Sequence, residues 1–149
     1  MSLTQLTYVS RARIPAGLEV DTLAAILDSS QGNNRLVGIT GYLVYDRMWF
    51  FQILEGPDKD VSATFSRIKD DRRHIDVAIV GRRTVKRASF PEWSMGGSIR
   101  RPETQAIYAR HAIDQSLDPS SLTLPSILAL AMDLQDFERM ERRALPLAG

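Results

Sequence analysis

The chain contains no cysteine, which removes disulfide frameworks, thiolate metal clusters, cysteine nucleophiles and all-cysteine iron–sulfur sites from consideration. It has only two histidines, His74 and His111. Neither stands in an HxH or HExxH pattern or within a dense carboxylate–histidine set, so no metal site is expected. GITGYL is no nucleophile elbow, and no serine–acid–histidine constellation is recognisable. GxGxxG and GxxxxGK are both absent, so any nucleotide must be held without a glycine-rich phosphate loop. No apolar stretch approaches the about 18 residues of a membrane span. The opening MSLTQLTYVS lacks the basic and long apolar regions of an export signal. A cytoplasmic protein without a membrane partner is expected.

What is present suits one compact fold: 149 residues, 44% of them apolar, enough to bury a core without covalent staples. The 19 basic and 18 acidic side chains leave a formal charge of +1, which gives no global reason to bind nucleic acid. Charge is unevenly placed, however: residues 65–87, FSRIKDDRRHIDVAIVGRRTVKR, carry eight Lys or Arg against three Asp. That stretch suits either a solvated surface or a phosphate-bearing ligand.

Periodicity outlines the elements. LTQLTYVSR alternates as a strand. After the Pro15-Ala16-Gly17 loop, Val20, Leu23, Ala24, Ile26 and Leu27 recur at helical spacing, which predicts a helix over 20–31, capped by Asp21 or Thr22 and stopped in SSQGNN. Asn33 and Asn34 then fall in a turn. LVGITGYLVYDRMWFFQILEG reads as a hairpin with strands near 38–45 and 48–55. The apolar run MWFFQIL predicts a central strand covered for much of its length, interrupted by Gln52, whose amide must be hydrogen-bonded if buried. Gly56-Pro57-Asp58 opens a second helix to about residue 70, with Val61, Phe65 and Ile68 on one face. His74–Val80 and Arg82–Val85 predict a fourth strand and Trp93–Ile99 a short fifth. The order is an α+β, ferredoxin-like β-α-β-β-α-β unit with an added fifth strand. Two C-terminal helices follow, over 104–116 and 125–142, the latter with a stripe of Ile127, Leu130, Ala131, Leu134 and Phe137. They are expected to cover the sheet's second face or to form an interaction surface.

Tyr8 on the first strand, Gln52 on the third and Trp93-Ser94-Met95 at the fifth can share a sheet face. Taken singly, each is equally at home as an ordinary core residue. Taken in order, LTYVSR, NNRLVGITGYLVY, FFQILEGP, FSRIKDDRRH and FPEWSMG resemble the BLUF family of flavin-binding blue-light photoreceptors over roughly residues 3–99, in its short form with two C-terminal helices.

The resemblance implies FAD as cofactor and no enzymatic turnover. Tyr8 and Gln52 correspond to the photochemical pair beside the isoalloxazine ring, and Asn34 to the asparagine at its polar edge, with Asn33 at a variable contact position. Ile26 and Ile68 look like the residues that sandwich the ring, Arg67 like the basic residue near the phosphates, and Asp71, Arg72 and His74 would complete that rim. The family mechanism implies that an electron and then a proton leave Tyr8 under blue light and return, leaving Gln52 rotated or tautomerised. Trp93 and Met95 would pass the change to the fifth strand. Residues 1–99 would form the sensor and 100–149 a helical extension, signalling without a covalent step through a homo-oligomer or a separate effector protein. A light-independent flavin enzyme and a colourless interaction module are the alternatives.

Overall fold

The computed structural model describes residues 2–91, 95–113, 118 and 121–144, the last three by backbone alone. The chain runs β1 (Leu3–Ala12), α1 (Glu19–Val37), β2 (Thr40–Asp46), β3 (Trp49–Gly56), α2 (Asp58–Lys69), β4 (His74–Val85) and β5 (Gly96–Ile99). A short 3-10 turn (Pro102–Thr104) then leads to α3 (Gln105–Arg110) and α4 (Leu124–Ala144). The strands form one sheet in the order β4-β1-β3-β2-β5. The β2–β5 pairing is parallel and the others antiparallel. This is the expected ferredoxin-like α+β arrangement.

Because strand side chains alternate between faces, the sheet divides its apolar residues between two cores. Leu6, Tyr8, Leu43, Phe50 and Leu54 meet Leu23 of α1, Val61 and Phe65 of α2, and Met95. Val9, Tyr42, Val44, Phe51 and Ile53 meet Phe90, Ile107 and Tyr108 of α3, and Ile127, Leu130 and Leu134 of α4. A strand covered on both faces has no solvent parity, which is why the β3 sequence is apolar almost throughout. Immediately after β5, Arg100 pairs with Asp46 at 3.0 Å, both side chains buried. Arg100 also donates to the Ile113 carbonyl at 3.0 Å and lies over the Tyr108 ring, tying α3 to the end of β2.

Several boundaries differ from expectation for local reasons. Helix α1 does not stop in SSQGNN but continues to Val37, so Asn33 and Asn34 are helical. Those polar residues tolerate the helix because two of them find partners or burial in the tertiary structure: Gln31 Nε2 donates to the Met95 carbonyl at 2.9 Å, and Asn34 is buried. The true stop is Gly38, at φ 73°, a left-handed conformation that glycine adopts without penalty, and its N–H bonds back to the Asn34 carbonyl. No side-chain cap starts α1; Leu18 occupies that position. Strand β4 is continuous from His74 to Val85, with register shifts against β1 and Asp76 at positive φ. Helix α3 ends at Arg110, followed by Ala112 at positive φ.

Candidate functional site

Strands β1 and β3 are antiparallel neighbours in which Tyr8 stands directly opposite Gln52. Both side chains point toward α1 and α2, and both are buried. The Tyr8 hydroxyl donates to Gln52 Oε1. Gln52 Nε2 donates to Met95 Sδ at 3.3 Å, so the amide lies between a phenol that gives and a thioether that accepts. Met95 reaches this position because β2 carries Gly41 beside it: a Cβ there would lie 2.0 Å from the Ile53 carbonyl oxygen and 3.1 Å from Met95 Cε. Burial pushes the Tyr8 phenol pKa well above its ordinary value, and the Asp71 carboxylate adds to that shift. The phenol is therefore a neutral donor at physiological pH.

Two adjoining clefts open between α1 and α2 above this pair. One, of about 400 Å³, is lined by Tyr8, Ile26, Leu43, Phe50, Gln52 and Ile68, among others. The second, of about 510 Å³, is lined by Asn33, Asn34, Gln52, Thr64, Arg67 and Arg73, among others. Apolar walls with a few convergent polar groups suit a planar ligand. Amides at one edge and cations beyond suit a ring carrying a phosphate tail. Among the described residues, Arg67 has no carboxylate partner, and its guanidinium meets only the Thr64 hydroxyl, at 3.4 Å. This donor set fits FAD: isoleucines for the ring faces, amides for its polar edge, and a cation for phosphate.

Of the expected rim residues, the structure brings Asp71 and His74 to the clefts and leaves Arg72 outside them. Arg72 is exposed and lines neither cleft. Asp71 Oδ1 accepts the Arg73 backbone N–H at 2.9 Å, forming a tight turn just beyond α2 that directs Arg73 inward in its place. The Arg73 guanidinium also chelates the Asp71 carboxylate, and these hydrogen bonds hold the Asp71 pKa below the ordinary carboxylate range. His74 lines the first cleft but not the second. Its Nδ1 lies 2.8 Å from Ser10 Oγ and its Nε2 2.6 Å from the Ile68 carbonyl. A carbonyl only accepts, so Nε2 carries a hydrogen. Both ring nitrogens thus have protein partners. Trp93 lies outside the described residues. Arg73, Ser30 and Phe50 line the site without having been singled out in the sequence. The RR pair was visible, but only the turn decides which arginine points inward. Among the described residues no group of His, Asp and Glu is placed to hold a metal ion, and no helix is long and apolar enough to cross a membrane.

The chain has relatives among known proteins. The chain is 29% identical over 96 residues to the photoactivated adenylate cyclase subunit alpha of Euglena gracilis, a match covering 64% of this chain and 9% of that one. It is 29% identical over 97 residues to subunit beta of Euglena longa, covering 65% and 11%. It therefore spans about a tenth of the length of these curated relatives. Among solved structures, BlrB, a BLUF protein in its dark state, superposes with a TM-score of 0.75 at 28% identity over 92% of this chain and 97% of that one. BlsA in its photo-activated state superposes with a TM-score of 0.77 at 26% identity over 90% and 94%. Residues 3–96 match the family described as sensors of blue-light using FAD, and with Tyr8, Gln52 and the cleft lying inside that span, the chain belongs to the BLUF family.

Proposed function

We propose that this chain senses blue light through a hydrogen-bond switch formed by Tyr8 and Gln52, with Met95 as the first residue to register the change. The observation that supports this is the unbroken line on the cleft floor from the Tyr8 hydroxyl through the Gln52 amide to the Met95 thioether. When bound, FAD supplies the light-absorbing, electron-accepting ring. Ile26 and Ile68 would bracket it, Asn33 and Asn34 would meet its polar edge, and Arg67, with Arg73 and Asp71 beside it, would offset phosphate charge.

Tyr8 would be the residue that gives an electron and its phenolic proton to that ring and takes both back, so no substrate would be consumed. In between, Gln52 rotates or tautomerises. Its amide has one donor and one acceptor end, so either change redirects its bonds without altering formal charge. After a rotation its oxygen would face Met95 Sδ, which accepts but does not donate, and the thioether would have to move. Met95 leads directly into β5. That strand meets α4 through Ser98 Oγ, which donates to Glu138 at 3.1 Å, and two residues beyond the strand Arg101 pairs with Glu138 at 2.9 Å.

In this reading residues 1–99 hold the sensor, residues 100–149 carry its response, and the signal leaves by contact with a second copy or a separate effector protein. The cyclase activity in the relatives' names belongs to chains about ten times the matched length, and we assign this chain the sensing part alone. The test is an absorption spectrum of the FAD-loaded chain before and after blue light. A small red shift that reverses in the dark is expected; a spectrum unchanged by light overturns the reading.

A further inference from the structure

Helix α1 turns two sides to its surroundings. Ile26, Ser30, Asn33 and Asn34 line the clefts, whereas Leu27 and Gln31, one helical turn apart, face the start of β5. Leu27 packs where Gly97 has no side chain: a Cβ at that position would lie 2.8 Å from Leu27 Cδ2. Gln31 Nε2 donates to the Met95 carbonyl at 2.9 Å. Gln31 lines neither cleft, and none of the cofactor contacts assigned above uses it.

Met95 is thereby held at both ends, its carbonyl by Gln31 and its Sδ by Gln52 Nε2 at 3.3 Å. Its side chain is fully buried, with the methyl beside the space that Gly41 leaves open. In close packing a side chain has few other positions while its backbone stays fixed. A rotated Gln52 would present its oxygen to a sulfur that cannot donate. The thioether could then draw back only as far as the Met95 backbone yields, and the Gln31 bond resists that movement.

We propose that Gln31 is a positioning residue of the light switch: by holding the Met95 backbone it keeps the thioether against Gln52, so that the rotated amide is a strained, short-lived arrangement. This rests on the Tyr8–Gln52–Met95 relay proposed above, with rotation as the change at Gln52. The strain is greatest when the oxygen faces the sulfur and is released as the amide turns back. Removing the Gln31 donor lets Met95 draw away, which stabilises the lit arrangement, raises the barrier to return and slows it.

The experiment follows thermal return in the dark for the full FAD-loaded chain, with FAD content and melting temperature recorded alongside. Gln31→Leu keeps the bulk and removes the donor. It is expected to retain FAD and the red shift and to return at least about threefold more slowly, the order set by one neutral hydrogen bond. Gln31→Ala, the better helix former, serves if Gln31→Leu does not fold, with the same expectation. Met95→Leu removes the sulfur and with it the strain, so in that background Gln31→Leu is expected to change the rate by less than about twofold. A merely loosened α1 would slow both backgrounds alike. If Met95→Leu does not photoconvert, the 13C resonance of the Met95 methyl in the dark decides: it should move in Gln31→Leu while those of Met132 and Met140 stay. A folded Gln31 variant returning within about threefold of wild type, an equal slowing in the Met95→Leu background, or an unmoved Met95 methyl overturns the proposal and leaves the relay standing. A wild-type chain with no red shift overturns both.

Discussion

Tyr8 and Gln52 face each other across neighbouring antiparallel strands, the phenol donating to the amide oxygen. A phenol can donate or accept, but a thioether sulfur only accepts, so Nε2 faces Met95 and the amide oxygen is left to accept from Tyr8. The direction of the line is thus set at its Met95 end, with the Tyr8 hydroxyl as its donor. Tyr8→Phe keeps the ring that packs 5.5 Å from Phe65 but removes that donor. The expected result is FAD bound at near wild-type affinity with no light-induced red shift, and a stability loss of about 1–3 kcal/mol from the unsatisfied amide oxygen. Difference spectra and denaturant titration check the two parts. An undiminished shift would remove Tyr8 from the switch.

Gln52→Leu replaces the amide with an apolar group of similar size. The cleft should survive and FAD should bind, but neither end of the relay persists, so the shifted state should not form. Illuminated spectra of the loaded variant decide this, and normal formation of the shifted state would reject the role of Gln52.

The phosphate end is tested by adjacent arginines. Arg67→Ala removes a cation that among the described residues has no carboxylate partner. One charge-assisted bond at about 1.5–3 kcal/mol predicts FAD binding weaker by roughly tenfold to a hundredfold. Arg73→Ala should also weaken it and release the Asp71 carboxylate. Arg72→Ala should change nothing, because its side chain points to solvent. Equilibrium titration with FAD separates the three, and equal losses at Arg72 and Arg73 would contradict the turn geometry.

The two arginines also show where the sequence stops being legible. Tyr8 and Gln52 are readable because period-two alternation and the hairpin put both on facing strands, and because they belong to ordered motifs. Which arginine points inward depends on an Asp71 turn that acts after the helix ends, and RR looks alike from either side. SSQGNN reads as a loop by local preference, yet it forms the last turns of α1, because burial of Asn34 and the Gln31 bond to Met95 outweigh that preference. Glu55 gave no signal at all: a lone acid at the end of an apolar strand does not reveal that it is buried and accepts from the Gln5 amide and from the Ser89 and Phe90 backbone N–H groups more than thirty residues away.

Alkaline pH should leave the relay intact until the fold itself fails. Burial raises the Tyr8 pKa above the ordinary phenol value near 10, so between neutral pH and roughly 10 the folded phenol stays protonated. The amplitude of the red shift should therefore be flat over that range. Above it the unfolded phenol ionises while the folded one does not, so stability present at lower pH is lost as pH rises. A shift amplitude titrating between pH 8 and 9 would contradict the buried, neutral phenol.

Removal of residues 100–149 tests whether the matched span stands alone. Every cleft-lining residue precedes residue 100, so by site composition the shorter chain has what it needs. The second core argues otherwise. Without α3 and α4, the side chains of Tyr42, Val44, Phe51, Ile53 and Phe90 lose the cover supplied by Ile107, Tyr108, Ile127, Leu130 and Leu134. At about 1.5–3 kcal/mol for each large apolar side chain returned to water, five of them are comparable with the whole of a typical domain stability of about 5–15 kcal/mol. The loss of Arg100 leaves Asp46 buried without its ion-pair partner at 3.0 Å, a further cost of about 3–5 kcal/mol. The expected outcome is a fragment that fails to bind FAD as a folded monomer and recovers only by covering that face through self-association. Size-exclusion chromatography with flavin absorbance checks it. A stable, monomeric, yellow fragment would mean that the helices respond to the sensor without being needed to fold it.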